Sequence, residues 1–149
     1  MINQELILLP ALALVLLAFL VAVATALARI SEMRVRRIRP QQMATRAGTT
    51  SVLKSAAAVS DNFMNLFEMP VLFYFLITLL YAAGLADMGY LTLAVVYVVL
   101  RYAHTLVHAT YNRVMHRFYV YVLSTIVLGA MWVRFGWQLV ELLRLNDHV

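Results

Sequence analysis

Residues 6–28 run without one charged side chain, and about 20 apolar residues is the length at which a helix crosses a bilayer. Three further stretches, about 62–83, 90–111 and 118–143, have similar length and are nearly as apolar. Hydrocarbon offers backbone N–H and C=O groups no partner, so these runs predict helices rather than open strands. A membrane barrel would instead alternate apolar and polar positions, which these runs do not do. Composition agrees: 64% of the 149 residues are hydrophobic and 13% are charged, against roughly 25% charged in soluble domains. A water-soluble enzyme and a disordered chain are both excluded. The absence of cysteine removes disulfides, thiolate metal sites, iron–sulfur clusters and cysteine nucleophiles. The expected fold is an all-α integral membrane protein, one four-span helical bundle domain over residues 1–149.

The first stretch is expected to stay in place rather than be cleaved as a signal peptide. Glu5 precedes it with no Lys or Arg, and the run is longer than a signal's apolar core. Basic residues set the orientation. The first connection, about 29–61, holds Arg29, Arg34, Arg36, Arg37, Arg39, Arg46 and Lys54, and the third holds Arg113 and Arg117. The second, about 84–89, has only Asp87. The positive-inside rule predicts cytoplasmic first and third loops and both termini outside, in a multi-pass protein of a bacterial inner membrane. The net charge of +5 is thereby assigned to membrane flanks, and the run 34–40 suits anionic headgroups. No motif supports nucleic-acid binding.

A charge inside a spanning helix costs about 2.5–3.5 kcal/mol, so each one needs a reason. Asp61, Asn65 and Glu68 recur at helical spacing with Asn62 beside them, while Arg101, Thr105, His108 and Asn112 form a second stripe flanked by His104. Facing each other, the stripes predict a Glu68–Arg101 ion pair that holds two helices in register and neutralises both charges. His104 and His108 lie one turn apart, but no acid completes a metal-binding HExxH pattern, so no metal is expected. Pro70 predicts a bend in the second helix, and Gly129 and Gly136 predict close helix contacts. Arg113 and Arg117, with Tyr121 one turn beyond, read in two ways. They are headgroup contacts, or they line a basic, partly dry pocket for an anionic cosubstrate.

The segments Asn65-Leu66-Phe67-Glu68, Arg101-Tyr102-Ala103-His104-Thr105, Asn112-Arg113 and Arg117 with Tyr121 occur in an order and separation that resemble the MAPEG family, membrane-associated proteins in eicosanoid and glutathione metabolism. The likeness is to its microsomal glutathione transferase and prostaglandin E synthase branch and covers essentially the whole chain. It implies a homotrimer with glutathione, a thiol cosubstrate, bound between subunits on the cytoplasmic side. It also implies a glutathione-dependent transferase or peroxidase acting on lipophilic electrophiles or hydroperoxides drawn from the surrounding lipid. By the same resemblance Arg117 activates the thiol, while Asn65, Glu68, Arg101, His104 and Tyr121 line or brace the cofactor site, and Arg113 of the basic pocket is expected to bind the cofactor with them. A guanidinium beside a thiol favours the nucleophilic thiolate, which an unperturbed pKa near 8.5 does not. The chain departs from the family where arginines at the start of the second helix are replaced by Asp61 and Met64. An acid there repels glutathione carboxylates, and Arg29 is the expected compensation. The family also includes a non-catalytic lipid-presenting member, so a lipid-binding scaffold is the alternative. A small multidrug transporter, the third reading, would carry its buried acid in the first span, which has none.

Overall fold

A computed structural model describes residues 3–37, 57–111 and 113–146. Arg39, Arg46 and Lys54 of the first connection, and Asn112, lie outside the described residues. A 3-10 turn, Gln4–Ile7, leads into α1, Leu8–Arg36. There follow α2, Ala57–Asn65; α3, Met69–Ala82; α4, Met88–Ala109; and α5, Val114–Asn146. Four stretches are long and apolar enough to cross a membrane: Gln4–Arg36, Ser60–Ala82, Met88–Ala109 and Val114–Leu145. This is the architecture of a multi-pass integral membrane protein.

Two helices outrun the sequence expectation. α1 continues past residue 28 to Arg36, because Arg29, Glu32, Arg34 and Arg36 are tolerated by helix geometry, and basic residues in its last turn complement the dipole. Glu32 is buried and pairs with Arg36 at 3.1 Å. The 33 residues of α5 are about 50 Å long at 1.5 Å per residue, which exceeds the roughly 30 Å hydrocarbon core.

The second span is not a bent helix but two helices. α2 stops at Asn65, residues 66–68 turn, and α3 starts at Met69. Pro70 supplies the reason: it has no N–H for the Leu66 carbonyl, and its ring would strike that turn. Placed in the first turn of α3, it loses nothing, since those N–H groups have no helical partner anyway. Leu66 N–H and Phe67 N–H close the end of α2 onto Phe63 O (3.1 Å) and Met64 O (2.9 Å).

The core lies where α1, α3, α4 and α5 meet. Leu14, Leu17 and Val21 of α1 are buried with Phe73, Leu76, Ile77 and Leu80 of α3, Tyr90, Ala94 and Tyr97 of α4, and Leu128 and Met131 of α5. Phe73 stacks on Tyr97 at 4.6 Å between centroids. Leu12, Leu16, Phe19 and Leu20 on α1 and Ile126 and Val133 on α5 face outward, which in lipid is a favourable position for them. Three threonine hydroxyls are satisfied within their own helices: Thr25 donates to Val21 O at 2.8 Å, Thr92 to Met88 O at 2.8 Å and Thr125 to Tyr121 O at 3.0 Å.

The short 84–87 connection is tied on every side. Gly84, at φ 66°, takes the left-handed position that ends α3, and the N–H groups of Gly84 and Leu85 return to Tyr81 O (3.2 Å) and Leu80 O (3.0 Å). The Gln4 amide clamps Ala86, donating to its carbonyl at 2.8 Å and accepting its N–H at 2.9 Å. Asp87 accepts the Tyr90 N–H at 2.9 Å as the α4 cap and pairs with Arg134 of α5. The Arg134 guanidinium lies 4.2 Å from the Tyr90 ring centre, and Tyr90 Oη donates to Gln138 Oε1 at 2.6 Å. Gly89 leaves the room Arg134 occupies, since a Cβ there would collide with the guanidinium. Gly129 and Gly136, expected to allow close contact, have nothing near their Cβ positions within the protomer. Close approach was therefore needed at a third glycine.

Candidate functional site

At the opposite end, where α4 turns into α5, a cavity of about 230 Å³ is lined by Asn65, Glu68, His104, Val114, Arg117, Phe118 and Tyr121. Three parts of the chain build it. The interruption after α2 brings Asn65 and Glu68 to its wall, α4 supplies His104, and the first turns of α5 supply Arg117 and Tyr121. The α4 stripe predicted from spacing does face inward: Arg101, His104, Thr105 and His108 are all buried. Its partner on α2 is Asn62, whose Oδ1 accepts the Thr105 hydroxyl at 3.5 Å, while Asp61 is exposed.

The expected Glu68–Arg101 ion pair is not formed. Arg101 is fully buried and its Nη2 donates to the main-chain oxygen of Asn65. The break explains the exchange of partners. Asn65 O would accept from Met69 in a continuous helix, and α3 begins afresh at that residue. A helix C-terminus carries partial negative charge, so a guanidinium capping it is favourably placed. Glu68 becomes the exposed residue preceding α3 and turns toward the cavity. Tyr121 covers the other side of Arg101, its ring centre 5.6 Å from the guanidinium carbon. Arg101 Nε and Nη1 and the nearby Tyr97 Oη remain buried without a hydrogen-bond partner.

Arg117 is gripped by two histidines of α4. His104 Nδ1 donates to the Arg117 carbonyl at 3.2 Å, and Arg117 Nη1 donates to His108 Nε2 at 2.7 Å. His104 then presents an unprotonated Nε2, buried and unpartnered, beside a cavity it lines. Its ring sits 5.9 Å from that of Tyr121. The result is a small crevice with a guanidinium, a carboxylate, a phenol, an amide and an imidazole lone pair on its walls. Such a set can hold a zwitterionic ligand and favour an anion next to Arg117.

Two residues expected in this site stand elsewhere. Arg29 donates from Nε (3.2 Å) and Nη2 (3.0 Å) to Ser60 Oγ, tying α1 to α2 away from the cavity wall. Arg113 is exposed, does not line the cavity, and contributes its carbonyl to the Arg117 N–H at 3.1 Å. His108 was visible in the sequence as part of a polar stripe, but nothing in its spacing identified Arg117 as its partner.

A family model described as the MAPEG family matches residues 7–137. No curated protein and no solved structure matches the chain. With that match reaching into all four passes and across the cavity between them, the chain belongs to the MAPEG family, among the membrane proteins of eicosanoid and glutathione metabolism.

Proposed function

We propose that this protein is a glutathione-dependent membrane enzyme of transferase or peroxidase type, acting on lipophilic electrophiles or hydroperoxides. The convergence of Asn65, Glu68, His104, Arg117 and Tyr121 on one cavity carries the reading. Arg117 stabilises the glutathione thiolate, and Asn65, Glu68 and His104 take up the peptide's polar groups. Arg101 braces the site from below through Asn65 and Tyr121. With an aryl halide, the thiolate sulfur forms a C–S bond as the C–Cl bond breaks and chloride leaves. With a hydroperoxide, two glutathiones are oxidised to the disulfide while the O–O bond is reduced to an alcohol and water.

At about 230 Å³ the cavity falls short of the roughly 300–1,000 Å³ of most small-molecule sites. The reading includes a homotrimer, in which a neighbouring subunit would complete the walls. From the arginine-rich flanks we infer that this end faces the cytoplasm. The test is turnover of a chlorinated nitrobenzene with glutathione by protein in lipid nanodiscs. Arg117→Ala is expected to abolish it, and turnover unaffected by that change removes Arg117 from the mechanism.

A second reading, a non-catalytic lipid-binding scaffold, is favoured by Asp61 and Met64 near the site. A crevice of about 410 Å³ between α1 and α4, lined by Leu6, Leu9, Pro10, Ala13, Leu91, Val95, Val98 and Val99, also favours it. Glutathione binding absent by calorimetry, with lipid co-purifying, selects this reading.

A further inference from the structure

We propose that His108 is a positioning residue that holds the Arg117 guanidinium toward the cavity as a neutral hydrogen-bond acceptor. This rests on the catalytic reading above. A guanidinium has donors and no acceptor, so the 2.7 Å contact from Arg117 Nη1 requires a lone pair on His108 Nε2. The proton of that imidazole is therefore on Nδ1.

Two contacts from α4 reach Arg117, one at its main chain and one at the tip of its side chain. His104, one turn earlier on α4, engages the Arg117 carbonyl, and His108 engages its guanidinium. His108 is 4% exposed and His104 2%, so neither imidazole is free to swing. α4 is itself fastened to α2 by Thr105 and Asn62 between them. An apolar side chain at position 108 would fill the space and take away the acceptor that meets Arg117 Nη1. Where a reacting anion has to meet a guanidinium in fixed geometry, losing that contact slows chemistry more than it weakens binding.

Two variants of the full chain in nanodiscs separate these roles. His108→Gln keeps an acceptor oxygen near the Nε2 position, and His108→Leu keeps bulk without an acceptor. In the 15N spectra, wild-type His108 is expected to show an unprotonated Nε2 and Arg117 to show slowed guanidinium rotation. The rotation should speed up in His108→Leu and slow again in His108→Gln. In turnover with glutathione, His108→Leu is expected to lose roughly tenfold or more in kcat, with KM for glutathione held within about twofold, and His108→Gln to recover most of it. A protonated Nε2 in wild type, unchanged Arg117 signals in His108→Leu, or a His108→Leu enzyme as fast as wild type would each overturn the proposal. If wild type turns over no electrophile, the catalytic reading fails, and the nitrogen spectra still decide whether His108 holds Arg117.

Discussion

The two ends of the helical bundle carry similar polar groups and dispose of them in opposite ways. At the 84–87 end, Gln4, Asp87, Tyr90, Arg134 and Gln138 bond to one another or to the loop backbone. Nearby, only the Trp132 indole N–H is buried without a partner among the described residues. At the 110–113 end, Arg101 Nε and Nη1, Tyr97 Oη and His104 Nε2 are all buried and unpartnered. A buried unsatisfied polar group costs about 1–3 kcal/mol, so the second end is the less stable arrangement as it stands. A fold that closes one end so thoroughly has the means to close the other. The open valences lie at the end where the proposed site is.

Substitutions at the two ends should therefore separate activity from stability. The largest effect is expected from Arg117→Ala: a loss of about a hundredfold or more in turnover with little change in thermal midpoint. An equally large fall in midpoint would mean that this end is a structural lock like the other. Next comes Gln4→Ala, which removes two bonds to Ala86 and should destabilise by about 1 kcal/mol for each with turnover intact. Thermal unfolding in matched detergent reads this.

Arg134→Ala should cost about 1 kcal/mol or less from its half-exposed ion pair, with a similar increment from the ring of Tyr90. Gly89→Ala pushes on the same guanidinium, so the two changes together should cost less than their sum in a double-mutant cycle. Additive costs would show that Gly89 does not make room for Arg134. The smallest effects are expected from Gly129→Ala and Gly136→Ala in isolated protomers, about 1 kcal/mol or less and in the stabilising direction from helix propensity.

The spans were readable because lipid permits one solution for an apolar run of that length, and the α4 stripe because its period is that of a helix. Partners across helices were not readable in the same way. Glu68 and Arg101 were natural mates by charge and depth, yet the break before Pro70 released the Asn65 carbonyl, and a main-chain oxygen has no signature in a sequence. Asp87 stood out as the one charge of the second connection, but nothing local links it to Arg134 on another helix. Within the protomer Gly129 and Gly136 sit on the outward face of α5, while Gly89 lies opposite the Arg134 side chain that occupies its missing methyl's place. The chemistry of Arg117 was suggested by family likeness, and its restraint by His108 came from geometry alone.

The most direct measurement is ultraviolet difference absorbance of glutathione thiolate on mixing with the protein in nanodiscs at neutral pH. Thiolate signal in wild type and none in Arg117→Ala is the expected result. No signal in either protein, or the same signal in both, contradicts the assignment of this cavity as a thiolate site.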